Sequence, residues 1–166
     1  MLKIKISAAM VAFSSLGAQA QTMAQDITAH WVSYIVVSSS LPQRQLVSLA
    51  RDAAVSNSVM VLNGFVNGQN SIPEAQRFIT EINQQCCTRE KPSRWIIDPK
   101  LVARYSVRAA PTFILARGES MQPADWSKVA GDLDLASALK VFAQKSRSAD
   151  LRQQATDLYN KTFAAP

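Results

Sequence analysis

Short apolar runs rich in aromatic and β-branched residues alternate along this chain with longer stretches whose apolar residues return at helical spacing, and each switch marks an element. Trp31 to Val37 (WVSYIVV) is aromatic and β-branched and predicts a strand. Ser38-Ser39-Ser40 offers N-cap hydroxyls and Pro42 suits a first helical turn. Leu46, Leu49, Ala50, Ala53 and Ala54 follow at helical spacing, so a helix runs to about Val55. Val59 to Val66 (VMVLNGFV) predicts a second strand, and Asn67-Gly68 a turn. Ser71 and Glu74 stand at capping-box spacing with Pro73 between them. The helix they open carries Ala75, Phe78, Ile79 and Ile82 on one face and ends near Cys86 and Cys87. Ser93 to Ile97 predicts a short third strand. Asp98 then caps a short helix with Pro99 at its first position and Leu101, Val102 and Tyr105 as its apolar face. Pro111 leads into a fourth strand, Thr112 to Ala116, and Trp126 to Ala130 predicts a fifth. Asp132 or Asp134 caps a helix through Leu135, Leu139 and Phe142, and an amphipathic segment from about Ala149 to Phe163 closes the chain.

Strands alternating with helices argue for an α/β layered domain. The last two strands are too close in sequence to hold a helix between them, so they predict an antiparallel hairpin. The expected architecture is a mixed sheet with helices on both faces, without internal repeats or a low-complexity linker. The organisation read from the sequence is a leader over residues 1–20, a domain over 21–146 and an amphipathic helical tail over 147–166.

The leader changes the compartment. Lys3 and Lys5 precede a mostly apolar run from Ile6 to Leu16, and Ala18-Gln19-Ala20 reads as a small-x-small cleavage site. These are the three parts of a secretory signal peptide, and the apolar run is shorter than the roughly 20 residues a membrane span needs. Cleavage after Ala20 leaves 146 of the 166 residues, and the net charge of +6 falls to +4 because both lysines leave. That length suits one domain, and a 48% hydrophobic fraction is that of a globular chain. The expected location is the periplasm. The arginines are scattered, with no basic run interleaved with aromatics, so the charge does not point to nucleic acid.

Candidate chemistry is sparse. The two cysteines, Cys86 and Cys87, are adjacent. Disulfide Cα atoms prefer a separation of about 5.5 Å and neighbours on the chain sit about 3.8 Å apart, so a bridge between them is allowed but strained. The alternatives are that one or both thiols are buried, or that they pair with another chain. His30, the only histidine, lies just before the first strand and far in sequence from the cysteines, which leaves no metal-ligand or catalytic constellation. No cofactor is expected.

The element order resembles the thioredoxin superfamily, and within it the disulfide-isomerase branch, which inserts an extra helix between the first helix and a proline-led hairpin. Tyr105-Ser106-Val107-Arg108-Ala109-Ala110-Pro111-Thr112 is similar to that superfamily's approach to a cis-proline, which implies a cis peptide at Ala110–Pro111. VSSSLPQ, LNGFVNG, IIDPKLVARYSVRAAPTFIL and VAGDLDLASAL, in that order, resemble the TrbC family of F-type conjugation systems over about Trp31 to Phe142. That resemblance implies work in pilus assembly, on pilin or on other components of a type IV secretion apparatus, with any membrane contact made through those partners.

The departures define what kind of work. Redox members carry C-x-x-C at the first strand-to-helix turn, where the helix terminus lowers the thiol pKa. Alignment on Pro42 puts Ser40 and Gln43 at those two positions. A serine there lacks a nearby base, so its simplest role is a helix N-cap. What the resemblance leaves is a peptide-binding groove of Ser40, Leu41, Pro42, Gln43, Ala110, Pro111 and Thr112, able to hold an extended segment by backbone pairing. The expected function is non-catalytic. Two alternatives are an exported thiol-disulfide oxidoreductase using Cys86 or Cys87, and a purely structural subunit of a secretion complex.

Overall fold

The computed structural model describes residues 30–68 and 70–164; the signal peptide expected over residues 1–20 lies outside the described residues. Five strands form one sheet: β1 (Trp31–Val37), β2 (Val59–Leu62), β3 (Arg94–Ile96), β4 (Thr112–Arg117) and β5 (Trp126–Ala130), in the order β3-β2-β1-β4-β5. β1 runs parallel to β2, and β2 to β3, whereas β4 is antiparallel to both β1 and β5. The parallel pairs need helical crossovers. These are supplied by α1 (Gln43–Ser56) and by α2 (Ile72–Cys86), which leads to β3. A short helix, α3 (Pro99–Arg104), bridges β3 and β4, and α4 (Leu135–Lys145) and α5 (Ala149–Phe163) follow β5. This is the mixed, helix-flanked, thioredoxin-like sheet that the pattern predicts, with α2 as the inserted helix.

Strand alternation sorts the core into two layers. Ile35, Val37, Met60, Leu62, Phe113 and Leu115 face α1, α2, α4 and α5 in one continuous cluster. Val36, Val61, Ile114 and Ala116 face the other way, onto Leu101 of α3 and Tyr105, which caps that helix's C-terminal end. Because both faces are covered, β4 is buried from Thr112 to Ala116 and reads as a continuous apolar run. Each of its large side chains contributes roughly 1.5–3 kcal/mol through burial. Leu151 and Ala155 of α5 belong to the larger cluster, so the C-terminal helix packs into the same core as the sheet.

Several local expectations hold. The Ser71 hydroxyl accepts from the Glu74 N–H at 3.4 Å, Asp98 Oδ1 from the Leu101 N–H at 3.0 Å, and Asp134, rather than Asp132, caps α4 through the Ser137 N–H at 2.7 Å. Others need correction. β2 ends at Leu62 instead of continuing to Val66, because Gly64 adopts φ +86 and the chain then makes a 3-10 turn over Val66–Gly68. The serines before α1 do not cap it. Pro42 occupies the N-cap position with no side-chain hydrogen bond, and Ser38 and Ser40 bond one another through their hydroxyls at 2.8 Å.

Candidate functional site

Three loops converge where β1 ends and β4 begins. Thr112 stands opposite Val36 on β1 and opposite Ala130 on β5, so the 38–42 turn, the 109–111 loop and the 131–134 loop are neighbours at one end of the sheet. The Gly131 N–H donates to the Pro111 carbonyl at 3.1 Å, in a φ of +146 that favours glycine. Gln45, in the first turn of α1, donates from Nε2 to Asp132 Oδ1 at 2.6 Å, tying the helix start to the third loop. The Leu41 N–H closes its own turn onto the Ser38 carbonyl at 3.2 Å. The Ala110–Pro111 peptide is cis.

The residues singled out in the sequence therefore share one end of the fold but not one face. Ser40, Pro42 and Gln43 are exposed, Leu41 is half-buried against the larger core cluster, and Ala110 is half-buried. Pro111 and Thr112 are buried. Strand alternation points Thr112 with Ile114 toward the α3 side, away from Leu41, and its hydroxyl donates to the Ala109 carbonyl at 2.7 Å. Thr112 thus supports the loop from behind instead of lining the same groove as Leu41. Ala110 itself takes no backbone hydrogen-bond partner among the described residues.

Cys86 and Cys87 form a disulfide at the C-terminal end of α2, so of the alternatives open at the sequence level the vicinal bridge is the one present. Cys87 Sγ lies 3.8 Å from the Ala50 carbonyl oxygen, halfway along α1, and the Arg51 Nε–H donates to the Cys86 carbonyl at 3.5 Å. Asn83 organises the loop that follows: its Nδ2–H donates to the Ser93 carbonyl at 3.3 Å, and its Oδ1 accepts from the Ser93 N–H at 3.2 Å and from the Ser93 hydroxyl. Sequence reading missed this clamp; an Asn ten residues before a Ser carries no local signal.

Titratable groups near the site serve the helices. Burial raises the Asp52 carboxyl above its ordinary value, although the Leu135 N–H donates to it at 3.3 Å. Hydrogen bonds from the Ser137 amide and hydroxyl hold Asp134 below its ordinary value. Among the described residues no group of three or more His, Cys, Asp and Glu is placed to hold a metal ion.

A family model described as type-F conjugative transfer system pilin assembly protein matches residues 35–142, from the middle of β1 to the last buried turn of α4. The chain belongs to that family. The family description names an assembly role and no reaction, and the matched span contains the whole three-loop end of the sheet together with the disulfide. No curated protein matches the sequence. Two solved structures are similar in outline. One is a secreted Mycobacterium tuberculosis disulfide oxidoreductase homologous to E. coli DsbE, at 14% identity and a TM-score of 0.44, covering 85% of this chain and 86% of that one. The other is M. tuberculosis DsbF in mixed oxidised and reduced forms, at 12% identity and a TM-score of 0.45, covering 81% and 84%. Among the described residues no helix is long and apolar enough to cross a membrane.

Proposed function

We propose that this chain is a periplasmic, non-catalytic assembly factor for a conjugative pilus, and that it holds pilin or another component of the type IV secretion apparatus against the surface of Ser40, Leu41, Pro42, Gln43 and Ala110, with Pro111 and Thr112 as its rigid backing. The observation that carries this reading is the pilin-assembly family match over a cis-proline loop that faces no thiol. Ser40 and Gln43 stand where a dithiol would, and neither can form or resolve a mixed disulfide. The polar backbone at Ala110 remains, and an extended segment laid against it would gain hydrogen bonds in the manner of an added strand. Export rests on the charged, apolar and A-x-A sequence of residues 1–20.

Leu41→Glu and Ser40→Arg test the surface. Ser40 is exposed and Leu41 half-buried, so both variants should accumulate and lose no more than about 5 °C in melting temperature. Donor cells carrying either should make few or no pili, counted by labelled pilus-specific phage. Normal pilus numbers in both variants would show that the working surface lies elsewhere. Thr112 is unsuited to this test: it is 1% exposed, and a charge there would unfold the protein before it blocked a partner.

A further inference from the structure

We propose that the open edge of β5 is a second docking site, which takes an extended segment of a partner chain by strand addition and selects one with an apolar residue and an acidic residue two positions from it. The site lies beyond β4 from the Leu41 surface, on the α3 side of the sheet, and does not depend on the role assigned to that surface.

β5 is the last strand of the sheet, with β4 as its only neighbour among the described residues. Two hydrogen bonds fix which of its backbone groups are spent. The Arg117 N–H donates to the Asp125 carbonyl at 2.8 Å, and the Gly131 N–H to the Pro111 carbonyl at 3.1 Å. In an antiparallel pair the bonded positions alternate, so Ser127 and Val129 also turn their backbone toward β4. Trp126, Lys128 and Ala130 then turn their N–H and C=O groups outward, giving three consecutive outward positions at the spacing an incoming strand requires.

Natural sheets guard such edges, most often by keeping them short or by standing a charge over them. The opposite edge follows that rule: β3 has three residues and carries the exposed Arg94, which donates to the Asn57 carbonyl at 2.9 Å. β5 has five residues and one charge, Lys128. Its ammonium is turned in toward α3, donating to the carbonyls of Tyr105 at 2.6 Å and Ser106 at 2.7 Å, so it caps the end of that helix instead of standing over the edge.

A hollow of about 380 Å³ opens beside this edge, lined by Val107, Arg108, Ala109, Thr112 and Ala130 among others. An added strand would lie about 4.8 Å beyond β5, with alternate side chains above the same face. Val107, Ala109 and Ala130 suit an aliphatic side chain. Arg108 is exposed and has no salt bridge among the described residues, so it suits an acid two positions along the incoming strand.

The test uses the full chain, labelled with 15N, and three synthetic heptapeptides. The probe is acetyl-Thr-Glu-Thr-Val-Thr-Glu-Thr-amide, which presents Glu-Val-Glu on one face. The controls replace both Glu by Lys, or methylate alternate backbone nitrogens. The probe should slow amide exchange at Trp126, Lys128 and Ala130 and shift the resonances of Ala109 and Thr112. The Lys peptide should bind about five-fold more weakly, and the N-methylated peptide at least about tenfold more weakly. Arg108→Glu should reverse the preference between Glu and Lys peptides, and Ala130→Pro, which removes an outward N–H, should abolish protection. Arg108→Glu leaves the strand intact and decides the matter if Ala130→Pro fails to fold. Equal binding of all three peptides, protection confined to other elements, or no protection would overturn the proposal. Concentration-dependent dimerisation that protects β5 without peptide would assign the edge to a second copy and overturn it as well.

Discussion

Replacing Leu151 by Ala asks whether α5 is part of the domain or an appendage to it. Leu151 is fully buried, in the cluster that also contains Leu139 and Phe142 of α4. The substitution deletes three carbon groups, and at about 0.8 kcal/mol each the lost transfer energy is about 2.4 kcal/mol. Neighbouring side chains close such a gap only in part, and the remaining cavity raises the cost to about 3–4 kcal/mol. A domain of this size is stable by roughly 5–15 kcal/mol, so one residue on the last helix would remove a large share. Urea unfolding followed by circular dichroism should show the midpoint fall by about 1.5–2 M at an m-value near 2 kcal/mol/M, with the melting temperature down by about 10 °C. Leu158→Ala, at a half-buried position of the same helix, should cost less than half as much. A Leu151→Ala change within 0.5 kcal/mol of the parent, the usual range for exposed sites, would mean that α5 rests loosely on the domain and that the burial argument is wrong.

Three further outcomes follow from the same reasoning. Asp98→Ala removes the N-cap of α3 and should cost about 1 kcal/mol in a urea titration. Asp52, raised by burial, holds its proton more tightly folded than unfolded; its contribution is therefore complete below about 3.8 and lost as pH climbs through the raised value. Asp52→Asn should accordingly gain stability relative to the parent at pH 7 but not at pH 3.5, whereas Asp134, whose pKa is lowered, contributes above 3.8 and loses that contribution as pH falls further. Converting Cys86 and Cys87 to Ser together should change stability by less than about 1 kcal/mol, because a bridge between neighbours closes almost no loop, and conjugation frequency should stay within a few-fold of the parent.

The sequence was most legible where one signal acted alone. β5 and α5 have the predicted bounds because the sequence signals for each, a short Trp/Val-containing run and an amphipathic stretch, are bounded by turn residues and by Phe163. β2 was read too long because an apolar run continues past Gly64, and only the backbone geometry shows that the glycine ends the strand. The cap of α1 was misread for a related reason: three serines offer capping hydroxyls, but Ser38 and Ser40 satisfy one another and leave Pro42 at the helix start. At the candidate site the proline motif was readable, including its cis peptide, but the facing of its neighbour was not. Thr112 falls to the α3 side through its place in the β4 register, and the inward turn of Lys128 depends on carbonyls more than 20 residues away in sequence. Contacts of that separation have no local signature.

The disulfide stands apart from the turn of Ser40 and Gln43. Cys87 Sγ meets α1 at the Ala50 carbonyl, seven residues beyond Gln43, and at 1.5 Å per residue that is about 10 Å along the helix. Residues whose Cα atoms are more than about 7 Å apart cannot be joined by a disulfide without moving the backbone. A thiol held at the Gln43 end of α1 would therefore be out of reach of Cys86 and Cys87 unless α2 shifted along α1. Against such a shift stand Ala75 and Ile82, both buried in the larger core cluster, and the Asn83–Ser93 clamp that fixes the loop beyond the cysteines. On the proposed reading the thioredoxin-like frame serves through the surfaces it presents, and the one disulfide among the described residues stands on α2, away from the turn where the frame's redox relatives carry theirs.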